Sequence, residues 1–211
     1  LNSILINNGN RIPADCLAVS GGWTPNVQLT CHHRGRPVRN NSIASFVPGR
    51  DLPDGMVVTG AASGTMGLAS CLKDGIVVGQ GIVRDLGGKP TKTKTPRASD
   101  EDYSIQPFWY VKESINNAFV DFQHDVGVKD IKLAHSEGFR SVEHLKRYST
   151  LGMATDQGKI SNITGLAILA DISGKTIAET GTTIFRPPYT PVPIAAFAGR
   201  SRGKEFRPIR H

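Results

Sequence analysis

The sequence predicts a mixed fold in which an α/β unit is followed by a small helical unit. Two short apolar runs, Cys16–Val19 and Met56–Thr59, each lead into a glycine-rich turn, which is typical of strands buried on both faces of a parallel sheet. Residues 107–185 instead carry apolar side chains at helical spacing. Between these parts, residues 86–106 show no apolar periodicity and hold prolines, glycines and lysines at short intervals, so we predict a linker there.

Composition and length place the chain among globular proteins. It has 211 residues, of which 38% are hydrophobic and 20% are charged. No apolar run approaches the ~20 residues that a membrane-spanning helix needs. Cys16, Cys31 and Cys71 lie far apart in the sequence and form no metal-ligand pairs. An odd and small number of cysteines is typical of a protein whose thiols stay reduced. We therefore predict a cytoplasmic protein with no membrane association and no metal site.

The formal net charge of +7 raises the question of nucleic-acid binding. The net charge is +3 over residues 1–106, zero over residues 107–199 and +4 over the last twelve residues. Those twelve residues hold five basic side chains, namely Arg200, Arg202, Lys204, Arg207 and Arg210. Because the excess lies in a tail and a linker and not on a folded face, the sequence argues against a nucleic-acid partner.

Residues 4–20 are predicted to form a strand, a turn and a second strand that contains Cys16–Val19. Asn8-Gly9 favours a tight hairpin turn, since both central residues of such a turn need positive φ. The apolar run Cys16–Val19 ends at a turn whose candidate cofactor-binding residues are Gly21, Gly22, Trp23 and Thr24. The alternative, about equally compatible with the pattern, is a plain exit from the strand with Trp23 packed in the core.

The second apolar run is followed by a glycine turn and a helix. The helix is predicted over residues 65–79, and the turn Gly60–Gly64 precedes it. The free N–H groups and the dipole at a helix start favour an anion such as a pyrophosphate. We therefore expect Gly60, Ala61, Gly64 and Thr65 to contact a cofactor. The glycine spacing is not G-x-G-x-x-G, so the alternative is that these glycines only allow close packing of a helix on a sheet.

Residues 107–185 contain three predicted helices. The first ends at Gly138, the second is capped by Ser141, and the third ends at Gly174. Their inward positions are Val128, Ile131 and Ala134, then Val142, Leu145 and Tyr148, then Ile163, Leu166, Ala167 and Ala170.

The loop between the second and third helices is the strongest candidate site of the chain. Gly152 and Gly158 permit positive φ and a close approach of backbone to a ligand, and the residues between them are mostly small and polar. We call Met153–Lys159 the 153–159 loop. Its candidate cofactor-binding residues are Met153, Thr155, Asp156, Gln157, Gly158 and Lys159. The alternative is an ordinary helix-to-helix turn with solvated side chains.

Several segments resemble a known family. Asp15–Asn26 and Val58–Gly64 resemble the last part of a pyridine-nucleotide-disulfide-reductase-type domain, which is the dinucleotide-binding fold expected for the α/β unit. The combination with four further segments is similar to the alpha subunit of heterotetrameric sarcosine oxidase over nearly the whole chain. These segments are Ala118–Val126, Glu137–Tyr148, Leu151–Lys159 and Gly181–Pro191.

That resemblance implies a function, its cofactors and a domain order. The family oxidatively demethylates sarcosine to glycine and forms hydrogen peroxide and methylene-tetrahydrofolate. Its alpha subunit holds NAD, its beta subunit holds FAD, FMN lies between alpha and beta, and smaller subunits complete the heterotetramer. The chain is then expected to be a middle fragment, inactive alone. Residues 1–85 would be the last part of the NAD-binding domain, and residues 86–106 would be a linker. Residues 107–185 would form the helical domain, and residues 186–211 would form a proline-rich, basic linker toward a folate-binding domain.

A second resemblance concerns the helical unit. It looks like the small domain that binds a [2Fe–2S] cluster in bacterioferritin-associated ferredoxin and related oxidoreductases. The positions of the four cysteine ligands are matched here by Asp121, Gln123, Asp156 and Ser161. Such clusters need thiolate ligands, so the resemblance implies no iron–sulfur cluster. Ala61 likewise stands where the reductase superfamily has an acidic residue, which argues against FAD at that turn.

The sequence leaves competing functions open. No Ser-His-Asp or paired-carboxylate arrangement follows from local spacing, so no catalytic residue is assigned. The main alternative is a non-catalytic assembly module of a related amine or opine oxidoreductase complex. The two hypotheses differ in whether the 153–159 loop touches a cofactor. A helix-turn-helix DNA binder is the third reading, and the zero net charge of residues 107–199 disfavours it.

Overall fold

The computed structural model describes residues 2–6, 8–32, 34–113, 117–185, 190–197 and 203–205. The predicted proline-rich stretch 186–189 and most of the basic tail lie outside the described residues.

The first half of the chain contains two hairpins and one long helix. Strands β1 (Ser3–Leu5) and β2 (Arg11–Pro13) pair antiparallel, and Gly9 has a φ of +83°, so the hairpin predicted at Asn8-Gly9 is confirmed. Strands β3 (Val38–Asn40) and β4 (Ser45–Val47) form the second hairpin. Helix α1 (Leu68–Asp85) confirms the helix predicted after the glycine turn. Short 3₁₀ helices cover Gln28–Cys31 and Gly60–Ser63.

The two predicted buried strands are absent, and these predictions were wrong. Cys16–Val19 has no regular structure, with Leu17 56% and Val19 83% exposed, and Trp23 is 78% exposed and not in the core. Met56–Thr59 is also irregular. A strand buried on both faces needs a neighbour on each side. The strands of the described residues form three separate antiparallel pairs, and neither apolar run joins one of them.

The β3–β4 hairpin lies between the two halves of the molecule. Its two faces have different neighbours, because side chains alternate along a strand. Phe46 belongs to the main hydrophobic core, which it shares with residues of the second half. On the other face, Gly64 packs so closely that an added Cβ would come within 2.7 Å of Val47. This hairpin therefore connects the glycine turn before α1 with the core of the second half.

The second half contains one further hairpin and four helices among the described residues. The strands are β5 (Phe119–Asp121) and β6 (Val126–Gly127), which the sequence did not predict. The helices are α2 (Val128–Ser136), α3 (Val142–Ser149), α4 (Asn162–Ser173) and the short α5 (Ile177–Thr180). Helix α4 packs on both α2 and α5.

The predicted helix ends agree with the structure. The Ser141 hydroxyl accepts the N–H of His144 at 3.2 Å, as an N-cap does. Gly138 and Gly174 follow α2 and α4 with φ of +96° and +64°. The inward placement of Tyr148 was wrong: it is 37% exposed and stacks on Phe139, with ring centroids 4.6 Å apart.

The core forms around α4. Ile131, Leu145, Leu166, Ile168 and Leu169 are all less than 2% exposed. Helix α4 is apolar on all sides, which is typical of a helix that neighbouring elements cover on several faces. The predicted inward positions on α2 and most of those on α3 and α4 are confirmed, and they are the residues that these helices bury against one another.

Replacing Leu166 by alanine should destabilise the protein by about 2–5 kcal/mol, because it removes buried methyl groups and leaves a cavity. Urea unfolding measures the effect. The matched control is Leu133→Ala on α2, where the leucine is 49% exposed. We expect that control to cost less than about 1 kcal/mol. Equal losses for the two variants would contradict the placement of the core around α4.

Candidate functional site

The Asp121 carboxylate fixes the backbone that leads into the 153–159 loop. Asp121 lies in β5 and is 3% exposed. Its oxygens accept the N–H of Gly152 at 2.8 Å, the N–H of Gln123 at 3.0 Å and the hydroxyl of Ser161 at 3.4 Å. A buried carboxylate is stable only when donors satisfy it. One side chain therefore connects β5, the beginning of the loop and the residue before α4.

The two glycines of the loop pack on Asn162, the first residue of α4. Gly152 and Gly158 have φ of +68° and +76°, and a Cβ at either position would overlap the Asn162 side chain. Asn162 is itself held, since its side-chain amide donates to the Thr183 hydroxyl at 3.2 Å. The glycines are thus required by packing within the protein, independently of any ligand.

The loop glycines were expected to let the backbone approach a ligand, but their N–H groups already have acceptors within the protein. The N–H of Gly152 donates to Asp121, and the N–H of Gly158 donates to Asp156 Oδ1 at 3.1 Å. The other Asp156 oxygen accepts the N–H of Ile160 at 3.3 Å. The turn satisfies its own backbone groups, as a compact turn with an Asp at its start does.

The outward groups of the loop are side chains. Met153 is 46% exposed, and Thr155 is exposed while its hydroxyl donates to Gln123 Oε1 at 3.0 Å. The Gln157 amide donates back to the Ala154 carbonyl at 2.9 Å. Lys159 Nζ donates to the Thr190 hydroxyl at 3.2 Å. Met153, Thr155 and Lys159 are therefore the loop residues placed to meet a ligand or another chain.

The four residues at the resembled cluster positions are oxygen-bearing and form hydrogen bonds. The Asp121 carboxylate accepts hydrogen bonds from the Ser161 hydroxyl and the Gln123 N–H, and the Gln123 side chain accepts one from the Thr155 hydroxyl. The Asp156 carboxylate accepts hydrogen bonds from backbone N–H groups of its own turn. In the described part of the chain, no three or more His, Cys, Asp or Glu side chains are grouped so as to hold a metal ion.

Of the four candidate residues of the first predicted turn, Thr24 lines a small cavity together with part of the 153–159 loop. Thr24, Phe46, Gly158 and Lys159 line a cavity of about 30 Å³, which has room for a water molecule but not for a nucleotide. Thr24 also bonds the Ser45 hydroxyl at 2.5 Å. The preceding residues do not line this cavity. A Cβ added to Gly22 would lie 3.3 Å from the Ile105 side chain, and Gly21 and Trp23 are exposed.

The Gly60–Thr65 turn stands apart from these loops. It forms a 3₁₀ helix, and its last glycine, Gly64, packs on β4. The Thr65 hydroxyl donates to Asp74 at 2.9 Å, and Ala61 is exposed. These contacts hold the turn against α1 and the hairpin.

The start of α1, where an anionic ligand was expected, is capped by a carboxylate from the predicted linker. Asp100 accepts the N–H of Ser70 at 3.1 Å and also bonds its hydroxyl. Gly67 makes room for it, since a Cβ there would overlap the carboxylate. The hydrogen bonds from Ser70 lower the pKa of Asp100. Sequence patterns could not reveal this contact, because Asp100 follows Ser70 by 30 residues.

A larger cleft lies elsewhere and contains none of the predicted site residues. It has a volume of about 490 Å³ between the segment 107–113 and helices α4 and α5. Lys112 spans it to reach Asp171 at 3.0 Å. No helix of the described residues is long and apolar enough to cross a membrane.

The family model and the curated relatives that match this chain all carry the name of sarcosine oxidase. The family described as "Sarcosine oxidase A3 domain" matches residues 115–200. The chain is 42% identical to the sarcosine oxidase subunit alpha of Rhizobium meliloti (strain 1021), over 100% of this chain and 22% of that protein. It is 36% identical to the same subunit of Corynebacterium sp. (strain P-1), over 95% of this chain and 21% of that protein. The chain thus spans about a fifth of the length of these relatives.

The fold is shared with a solved dehydrogenase. The crystal structure of L-proline dehydrogenase from P.horikoshii matches 92% of this chain and 41% of its own, with a TM-score of 0.64 and 18% identity.

The class of protein that the chain resembles is therefore that of oxidase subunits, since this is what the names of both relatives say. More specifically, residues 115–200 match the sarcosine oxidase A3 domain model, and the whole chain is similar to a segment of sarcosine oxidase alpha subunits.

Replacing Asp121 by asparagine should cost about 1–3 kcal/mol of stability, because the amide keeps only one accepting oxygen. It loses either the N–H of Gln123 or both the N–H of Gly152 and the Ser161 hydroxyl, and its NH2 group then faces a donor. Urea unfolding measures the loss. Asp125→Asn, at an exposed turn position with a φ of +54° that asparagine tolerates, is the control and should change stability by no more than about 0.5 kcal/mol. If Asp121→Asn were as stable as the control, the carboxylate would not hold the loop.

The Asp100 cap should respond to pH. The pKa of Asp100 is lower in the folded protein than in the unfolded chain, so its contribution to stability is present at neutral pH and is lost as pH falls through the folded value. The Ser70 amide resonance should therefore shift at a pH below the usual range of an aspartate carboxyl. Asp100→Asn should abolish that transition and Asp102→Asn should retain it. A Ser70 transition that persists in Asp100→Asn would exclude this cap.

Proposed function

We propose that the chain is part of the alpha subunit of a multi-subunit, flavin-dependent sarcosine oxidase. The reaction is the oxidative demethylation of sarcosine to glycine, with hydrogen peroxide and methylene-tetrahydrofolate as products. The main support is the 42% identity to a sarcosine oxidase alpha subunit along the whole of this chain. The partners are a beta subunit carrying FAD and the smaller subunits of a heterotetramer in the cytoplasm.

Within that assembly, the 153–159 loop forms the alpha-side wall of an FMN site between the alpha and beta subunits. The support is that its conformation is fixed from inside by Asp121 and Asn162, while Met153 and Thr155 are exposed and the half-buried Lys159 extends to the Thr190 hydroxyl. A rigid support is what a binding wall requires. When bound, the flavin supplies the redox chemistry.

The residues of the loop fit a flavin through side chains and not through backbone. The Lys159 ammonium suits the phosphate or the anionic ring edge of a reduced flavin, and the Thr155 hydroxyl can bond a ring edge or ribityl oxygen. The Met153 thioether offers an apolar, polarisable contact to a ring. The backbone N–H groups of Gly152 and Gly158 take no part, since each already has an acceptor. Asp156 and Gln157 keep the turn closed.

NAD is proposed to lie on the first half of the chain. Gly21, Gly22 and Trp23 are exposed and available for contact. Gly60, Ala61, Gly64 and Thr65 form the second proposed contact. A phosphate near the start of α1 competes there with the Asp100 carboxylate, because both need the same N–H groups. NAD binding through that helix start therefore requires Asp100 to move.

The helical unit, which we place at residues 107–185, is proposed to lack an iron–sulfur cluster. The oxygens of Asp121, Gln123, Asp156 and Ser161 cannot replace thiolate ligands, and their hydrogen bonds already occupy them. The remaining divisions at residues 1–85, 86–106 and 186–211, and the folate-binding domain after the last, follow from the family resemblance.

A second candidate function, a non-catalytic assembly module, is favoured by apolar side chains around the loop. Phe122 and Ile160 are each 74% exposed, and Met153 lies between them along the chain. Exposed apolar groups that cluster around one loop are typical of a surface covered by another protein. In this alternative the loop contacts a partner subunit and no cofactor.

Lys159→Met in the assembled enzyme separates the two functions. If Lys159 faces the flavin, the variant should lose FMN, shift its reduction potential or slow turnover, because the positive charge near the phosphate or ring is gone. The measurements are the flavin content, the absorption spectrum and steady-state kinetics, with subunit assembly followed by gel filtration. Lys132→Met, on an exposed position of α2, is the control. Normal assembly with unchanged flavin content, potential and kinetics would leave only the assembly function.

A further inference from the structure

The cleft between the segment 107–113 and helices α4 and α5 has the dimensions of a small-molecule site. Its volume of about 490 Å³ lies within the ~300–1,000 Å³ that ligand pockets usually have. Its apolar base consists of Ala167, Ile168 and Ala170, which are buried residues of α4. A cavity of this size, with an apolar base and a few polar groups, is the usual form of a site that binds a small molecule.

Three consecutive aromatic residues form the other wall of the cleft. Trp109 and Tyr110 are partly buried and pack against the main core, so this wall is held in place. Phe108 lines the cleft as well and is 74% exposed. Because aromatic faces stack on other planar rings, the wall favours a flat, conjugated ligand over a branched aliphatic one.

The charged side chains that line the cleft balance one another. They are Lys112, Lys175, Asp171 and Glu113. An anionic ligand would meet two carboxylates and a cationic ligand would meet two ammonium groups, so neither gains a net attraction. The charges therefore favour an uncharged ligand that uses donors and acceptors of both kinds.

One pair of these charges places a donor beside an acceptor. Lys112 Nζ lies 3.0 Å from Asp171 Oδ2, and the two side chains are 64% and 60% exposed. Exposed ion pairs of this kind are weak, and each group keeps further hydrogen-bonding capacity, since an ammonium has three donors and a carboxylate has several lone pairs. A ring carbonyl next to a ring N–H, known as a lactam edge, offers the complementary acceptor and donor side by side.

We propose that this cleft binds an uncharged, planar heteroaromatic compound with a lactam edge. The ring stacks on the aromatic wall, its carbonyl accepts a hydrogen bond from Lys112, and its N–H donates to Asp171. This site goes beyond the function proposed above and does not depend on it, because none of the residues proposed to contact flavin or NAD lines the cleft.

The test uses two probes that differ only at the lactam edge. They are 2-quinolone and its N-methyl derivative, in which a methyl group replaces the N–H. The chain has two tryptophans, so Trp23→Phe leaves Trp109 as the only one, and this residue lines the cleft. Each probe is titrated into the full chain in this background. Quenching of Trp109 fluorescence is followed, and calorimetry gives the affinity and the stoichiometry.

Three variants of the cleft are compared with two matched controls. Lys112→Met and Asp171→Ala each remove one partner of the lactam edge, and Phe108→Ala removes the exposed ring of the wall. None of these three residues is buried, so the variants should fold. Arg147→Met breaks the other exposed ion pair of the described residues, and Phe122→Ala removes a phenylalanine that is also 74% exposed.

A lactam site and a general hydrophobic surface give different results. We expect saturable binding of 2-quinolone at one site and an affinity for the N-methyl probe that is about tenfold weaker, because a hydrogen bond to a charged group is lost. Each cleft variant should weaken binding of 2-quinolone, and both controls should bind like the parent.

The proposal is overturned if the N-methyl probe binds as well as 2-quinolone, or if the cleft variants bind like the controls. It is equally overturned if 2-quinolone shows no saturable binding, in which case the cleft is a surface that another protein segment covers.

Discussion

The conformation of the candidate site depends on one buried carboxylate. Asp121 accepts hydrogen bonds from Gly152 and Ser161, which lie 31 and 40 residues further along the chain. Because an ionised carboxylate in the interior needs such donors, β5, the loop and the start of α4 cannot move independently. Asn162 completes the arrangement by filling the space that Gly152 and Gly158 leave open. The direction of Met153, Thr155 and Lys159 is a consequence of these internal contacts, so the outer surface of the loop is set from within.

Glycine-rich turns suggested ligand contacts, and the structure shows that several of their glycines also pack closely against other parts of the chain. An added Cβ would meet Val47 at Gly64 and the Asp100 carboxylate at Gly67. In each case the close neighbour is part of the protein itself. The property that allows a ligand to approach a backbone also allows a side chain to do so. What distinguishes the two uses is the group that the missing Cβ would strike, and this depends on contacts between distant parts of the chain.

The sequence predicted local features well and long-range features poorly, for a physical reason. Helix caps such as Ser141 and terminators such as Gly138 act within one turn, so their patterns are visible in the sequence, and α1 to α4 were found in this way. A buried strand at Cys16–Val19 requires neighbouring strands, and the described residues provide none beside it. The same limit applies to the capping of α1 by Asp100 and to the Asp121 contacts. The cavity that Thr24 shares with Gly158 and Lys159 also depends on such distant contacts, and no local pattern indicated it.

Two exposed apolar side chains lie next to the candidate site. Phe122 precedes Gln123, whose side chain bonds Thr155 of the loop, and Ile160 directly follows the loop; each is 74% exposed. The side chains of Asp121 and Asn162, by contrast, are buried and hydrogen-bonded. Exposed apolar surface raises the free energy of the chain alone and lowers it once a partner or ligand covers that surface. A wall that holds a cofactor and a surface that binds a subunit therefore need not be separate, because a cofactor lying between subunits is enclosed by the same contacts that join them.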